Sequence, residues 1–269
     1  MDSARFPSET GVLVTRVAEN QWHAVDDGRV VGRGDTTHRP DGRVFLSIDS
    51  WHDTVFDLLA DAMLADLGAP LYTVVDEADR ELTARWQRAG FTIRRREWEY
   101  LVPTDPEVTK LPEAPPDVTV VGVGAAEERL LRELDRVIRD EVETSVGWRE
   151  MPAEILPRQA VHPSKYAVAA HAGRYVGLLR IAMATRQPRI GLVAVRTGQR
   201  RRGIARALLG HVLGTLHRNG IESAWAEVNE SNEAAIALFE GLGAQLMSSN
   251  IELTGGRRVL CHADQAASK

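Results

Sequence analysis

The sequence predicts an α/β chain in which one structural unit occurs twice, and three observations lead there. The stretch from Val102 to Asp117 holds five of the twelve prolines, at 103, 106, 112, 115 and 116, without an apolar period, the composition of a stiff connector. On either side of it the same landmarks appear in the same order. Asp26-Asp-Gly-Arg-Val-Val-Gly32 precedes it and His171-Ala-Gly-Arg-Tyr-Val-Gly177 follows it, so Gly28 matches Gly173 and Gly32 matches Gly177. A length of 269 residues, 43% of them hydrophobic and 26% charged, gives each part enough apolar material for a core. The expected division is therefore a first domain over 1–103, a linker over 104–116 and a second domain over 117–269.

The elements follow in order. Each copy opens with a turn and a strand start at the glycine landmarks, and a proline then marks the next turn, Pro40 in the first copy and Pro188 in the second. Arg43-Val-Phe-Leu-Ser-Ile48 and Ile190-Gly-Leu-Val-Ala-Val195 read as the apolar strands after those turns. An amphipathic helix, a strand and a short helix ending at glycine come next. The endings are Trp86-Gln-Arg-Ala-Gly90-Phe91 in one copy and Phe239-Glu-Gly-Leu-Gly243-Ala244 in the other. Only the second copy has a preceding helical region, Glu127 to Glu143, with Leu130, Leu131, Leu134, Val137 and Ile138 spaced by three and four. Near the C-terminus, Gly255-Gly256 reads as a hairpin turn before strand residues Cys261 and His262.

Composition narrows the functional classes. One cysteine, Cys261, supports neither an internal disulfide nor a thiolate metal cluster, which points to the cytoplasm and to no metal. No apolar run approaches the ~18 residues of a membrane helix. A net charge of −5 argues against a nucleic-acid partner.

Against that background stands one basic cluster. After the strand ending at Val195 come Arg196-Thr-Gly-Gln-Arg200-Arg201-Arg202-Gly203-Ile204-Ala205 and a helix with Ile204, Leu208, Val212 and Leu216 on one stripe. The first copy has only Asp49-Ser-Trp-His-Asp53 there. Unpaired amides and the positive dipole end at a helix start favour an anion, glycine permits close approach, and arginines add charge-assisted contacts. A diphosphate suits such a loop. The glycine-lysine-serine/threonine ending of a nucleoside-triphosphate loop and the three-glycine dinucleotide pattern are both missing.

Arg200-x-x-Gly203-x-Ala205 after a strand resembles the acetyl-CoA pyrophosphate loop of the GNAT superfamily of N-acetyltransferases. A second block, Glu227-Val-Asn-Glu-Ser-Asn232-Glu-Ala-Ala-Ile-Ala-Leu-Phe239-Glu-Gly-Leu-Gly243, is similar to that family's strand, asparagine, helix and aromatic-x-x-x-Gly ending. The resemblance covers the second part and, in degenerate form, most of the first. It implies two tandem GNAT-like units, each a mixed, mostly antiparallel sheet flanked by helices. It implies acetyl-CoA as cosubstrate, with the backbone of Val193, Ala194 and Val195 along the pantetheine and Arg200, Arg201, Arg202, Gly203, Ile204, Ala205 and Arg206 around the pyrophosphate. Asn232 matches the residue at the thiol end of the cofactor, and Glu227 the position of a general base. Phe239 stands where the family usually keeps a tyrosine as acid; as a phenylalanine it reads as core or as a wall beside the pantetheine. Water or another residue is then expected to replace that acid, with Tyr166, Tyr175, Ser248 and Cys261 unranked among the residues. The expected reaction is acetyl transfer to a primary amine of a small molecule or peptide, with a non-catalytic acyl-CoA-binding module as the alternative. Asp140, Glu141, Glu143 and Glu150 read as a solvated helix end, with attraction of a cationic amine as the second reading. The first unit completes the acceptor pocket, serves as scaffold or mediates self-association into a homodimer.

Overall fold

Two hairpin turns of the same kind frame the two halves of the chain. Asp27 and Gly28 have φ of 45° and 74°, and Ala172 and Gly173 have 49° and 74°, so each pair fills the two central positions of a left-handed hairpin turn. The computed structural model describes residues 11–39, 42–68, 70–145, 147, 161–183 and 187–255. They form two units: residues up to Arg95 together with those from Ile251, and Arg96–Asn250.

In the first unit the strands run β1 Leu13–Ala18, β2 Gln21–Asp26, β3 Arg29–His38 and β4 Val44–Ser50, all antiparallel. Helix α1 (Asp53–Asp66) crosses to β5 (Leu71–Asp76), which pairs parallel with β4 through Val44↔Leu71 and Phe45↔Tyr72 only. Helix α2 (Arg80–Arg88) follows, with Gly90 (φ 93°) ending it. The core packs Trp22, Phe56, Leu59, Met63, Trp86 and Phe91 beside Ile251 and Leu253.

The second unit repeats the plan after β6 (Thr92–Pro103), the short helix α3 (Pro106–Thr109) and β7 (Val118–Val121). It adds α4 (Glu128–Ser145), then gives β8 Tyr166–His171, β9 Arg174–Ala182, β10 Arg189–Val195, α5 Ile204–Arg218, β11 Ser223–Asn229, α6 Glu233–Glu240 and β12 Gln245–Gly255. The correspondence extends to irregularities. A bulge falls between Ala24 and Val25 of β2 and between Ala169 and Ala170 of β8, opposite Gly32 and Gly177. Both glycines lie under a helix: an added Cβ would meet Val55 and Leu59 in one unit, Ile204 and Leu208 in the other. The sheets are mostly antiparallel with one parallel pair each, and helices flank them.

Two features differ from the expected division. The Pro-rich stretch holds helix α3, whose N-cap Asp105 accepts from the Glu107 amide at 2.8 Å, and Leu111 lies against Gly210 of α5. The unit boundary falls within β6 and β12 rather than at 103 and 117. Phe91, Ile251 and Leu253 enter one core while Tyr100 and Val102 enter the other. Gly255 ends β12; Gly256, Cys261 and His262 lie outside the described residues.

Candidate active site

Several of the expected site residues lie on strand β10 and the segments that follow it. Strand β10 pairs with β11 only through Arg189↔Trp225 and Ile190↔Ala226. A register shift between Ile190 and Leu192 then carries it off, while its other edge stays paired with β9 from Leu192↔Arg180 to Val195↔Gly177. Gly191, between them, would press an added Cβ to 3.1 Å from the Arg180 guanidinium. Beyond Ile190, the β11-facing edge of Val193, Ala194 and Val195 is not laddered to that strand, an arrangement that can receive an extended chain in sheet fashion. The Val195 carbonyl accepts from Arg200 Nε at 3.1 Å.

From Val195 a 3-10 turn, Thr197–Gln199, leads to Arg201 (φ 59°) and Gly203 (φ 80°), the N-cap of α5. Both residues are left-handed, and they lead into a helix whose first amides, of Ile204, Ala205 and Arg206, precede the closure of its hydrogen-bond ladder and which carries a buried stripe. That stripe comprises Ile204, Ala207, Leu208, Leu209, Val212, Leu213 and Leu216. Arg202 is bonded to Gln199 and to Asp117, and His171 Nε2 lies 2.9 Å from the same Asp117 carboxylate. Burial of the Asp117 carboxyl pushes its pKa up; a backbone hydrogen bond and the nearby Arg202 and His171 outweigh that and hold it below the ordinary 3.8. Arg206 is directed elsewhere: its guanidinium lies beside Gly241, at the end of α6. Glu141 of α4 accepts from both the amide and the hydroxyl of Thr197 at 2.9 Å, which gives one member of the acidic helix-end cluster a structural engagement.

On β11, even-numbered residues Ala224, Ala226 and Val228 are buried in the core, while Trp225, Glu227 and Asn229 take the other face. Glu227 is half-buried and ion-paired with Arg189. Directly across β6 stands Glu99, whose carboxylate accepts from Ser248 and, at 2.7 Å, from Asn250. Glu99 escaped the sequence reading, because its neighbours on β11 and β12 follow it by well over one hundred residues; its one local signal is the alternation Glu97-Trp98-Glu99-Tyr100. Asn232 caps α6, its Oδ1 accepting from Ala235 at 3.1 Å.

Phe239 is 5% exposed and stacks on Tyr100 with ring centroids 6.2 Å apart. The Tyr100 hydroxyl donates to Glu240 at 3.4 Å, and burial, with the Glu240 charge, pushes its pKa up. Of the replacement acids, Tyr175 accepts from the Glu127 amide at 2.9 Å, Ser248 serves Glu99, and Tyr166 is buried, its pKa raised by that burial. Cys261 and Glu150 lie outside the described residues.

A cleft of about 620 Å³ lies on the flank of α5, lined by Thr109, Pro112, Val120, Gly210, His211 and Arg218 among others. None of Arg200 to Gly203 lines it. Among the described residues no group of His, Cys, Asp or Glu could hold a metal ion, and no helix is long and apolar enough to cross a membrane.

A helix start preceded by an arginine-glycine loop thus follows β10, whose parallel pairing with β11 ends after two residues. Residues 130–244 of the chain match the model of the acetyltransferase (GNAT) family. The chain is 47% identical over 51 residues to the ribosomal protein bS18-alanine N-acetyltransferase of Escherichia coli (strain K12). That match takes in 19% of this chain and only 34% of the relative's length. Among solved structures it resembles a GCN5-related N-acetyltransferase from Sphaerobacter thermophilus, with TM-score 0.62 and 18% identity over 89% of this chain and 81% of that one. A tandem GNAT protein from the clavulanic acid biosynthesis pathway gives TM-score 0.60 and 16% identity over 92% and 84%. At these identities the two share the fold. The duplicated unit seen in the hairpins and bulges is thus a pair of tandem GNAT-like units.

Proposed function

We propose that the second unit transfers an acetyl group from acetyl-CoA to a primary amine. The observation that carries this is the Gly203-capped start of α5, with Arg200 to Arg202, next to the β10 edge that parts from β11. The loop would take the pyrophosphate and the strand edge the pantetheine, leaving the thioester between β10 and β11. There Glu227, which pairs with Arg189, would accept a proton from the ammonium form of the acceptor, directly or through water. The neutral amine would then attack the thioester carbonyl; the C–N bond forms, the nitrogen loses its extra proton to water, the C–S bond breaks, and the sulfur leaves as thiolate, which its pKa near ~8.5 permits. The expected dimer and cytoplasmic location belong to this reading.

The ribosomal-protein relative directs the choice of acceptor toward the α-amine of a peptide, and small amines serve as the comparison set. Incubation with acetyl-CoA and both kinds of amine, followed by free-thiol release, tests the proposal. Glu227→Gln is expected to lower kcat by about 10²- to 10⁴-fold with CoA affinity retained. The buried, hydroxyl-free Phe239 favours one second reading, a non-catalytic acyl-CoA-binding module. CoA binding without turnover on any amine would establish it.

A further inference from the structure

The turn leading into the arginine loop is capped from outside. Its own N-cap, Arg196, makes no side-chain capping bond, and Glu141 of α4 supplies one instead. Its Oε2 accepts from the Thr197 amide and the Thr197 hydroxyl, each at 2.9 Å, across 56 residues of sequence. The side chain is 24% exposed, and Arg200 Nη2 lies 4.0 Å from the same oxygen. Charge alone makes this placement unfavourable, since a carboxylate beside a diphosphate site repels the ligand and competes for its arginine. Its use must therefore be geometric.

The duplication supplies an independent comparison. Between Val195 and Ile204 the second unit has eight residues; between Ser50 and Val55, the matching positions of the first, there are four. The first unit also has no helix between β1 and β2, where the second places α4 between β7 and β8. Loop and brace occur together in one unit and are both missing from the other.

We propose that Glu141 is a positioning residue for the cofactor loop. It fixes the Thr197 turn so that Arg200, Arg202 and the α5 amides converge on one anion, and so couples α4 to cofactor binding. The inference rests on the CoA reading above.

Titration calorimetry with CoA on the full chain and on Glu141→Ala, Glu141→Gln and Thr197→Val variants tests it. Repulsion alone predicts tighter binding by both Glu141 variants. Bracing predicts about tenfold weaker binding by Glu141→Ala, a smaller loss in Thr197→Val, and recovery of most of the loss in Glu141→Gln, which retains an acceptor oxygen. The double variant Glu141→Ala/Thr197→Val should bind no worse than Glu141→Ala, because one interaction is removed twice. In turnover, KM for acetyl-CoA rises while kcat is retained. A parent chain that binds CoA together with a Glu141→Ala variant that binds as tightly or more so overturns the brace. A parent chain that does not bind CoA overturns the CoA reading itself. Should Glu141→Ala fail to fold, Thr197→Val and Glu141→Gln decide the matter, equal or tighter binding by both counting against it.

Discussion

At Gly203 the constraint is backbone conformation rather than space. An added Cβ would meet nothing nearer than Pro115 Cγ at 3.9 Å, yet φ is 80°. A left-handed alanine costs roughly 1–2 kcal/mol, so Gly203→Ala should either lose that much stability or relax the turn and weaken CoA binding. Thermal melting and calorimetry on the same variant separate the two outcomes. The glycine and its arginines were legible in the sequence because the loop is local. Asp117 was not, since its partner Arg202 lies 85 residues on. Its lowered pKa has a defined consequence. The Asp117–Arg202 and Asp117–His171 contacts contribute stability above the ordinary 3.8 and lose it as pH falls through the lowered folded value. Melting temperatures of the parent chain and of Asp117→Asn should therefore differ at neutral pH and converge well below pH 3.8.

Glycines under helices show how the same strand-helix contact is built twice with different tightness. At Gly32 a new Cβ would lie 2.7 Å from Val55 Cγ1 and 2.9 Å from Leu59 Cδ1. At Gly177 the contacts are 3.0 Å to Ile204 Cγ2 and 3.3 Å to Leu208 Cδ1. Overpacking of this kind costs typically about 1–3 kcal/mol, and the closer contacts place Gly32→Ala at the upper end. Gly177→Ala should lose less stability but also weaken CoA binding, because the residue it displaces, Ile204, begins α5 directly after the loop. Melting curves and CoA calorimetry on the pair check both statements. These glycines were readable as matched landmarks, and so were the turns, strands and helix ends around them, because each rests on local spacing. A backbone of Val193 to Val195 left open to a ligand was implied only by the family resemblance; the register shift beside Gly191 leaves a single glycine as its trace in the sequence.

On the scale of the whole chain, the last described strand is divided between the two units, and this the sequence does not announce. Residues 245–250 of β12 lie in the second unit, while Ile251, Glu252 and Leu253 are buried in the first. A linear reading places everything after the prolines in one domain, because nothing in periodicity reports that a strand's neighbour lies 209 residues earlier, as Arg43 does from Glu252. Glu252 is 3% exposed and is shared by Arg43 at 3.4 Å, Arg94 at 2.7 Å and Arg95 at 3.0 Å. Removing the charge from a buried pair typically costs about 3–5 kcal/mol, because the guanidiniums stay behind in a medium that solvates them poorly. That is a large part of the ~5–15 kcal/mol that holds an ordinary domain. Glu252→Gln should therefore open the first unit selectively. Limited proteolysis with mass-spectrometric mapping should find new cuts within residues 11–95 at concentrations that leave 96–250 intact, and CoA affinity should hold under the same conditions. Cuts distributed evenly over both units would mean that the strand residues 251–255 stabilise the chain as one cooperative block, and the division of β12 between the two units would then have no thermodynamic counterpart.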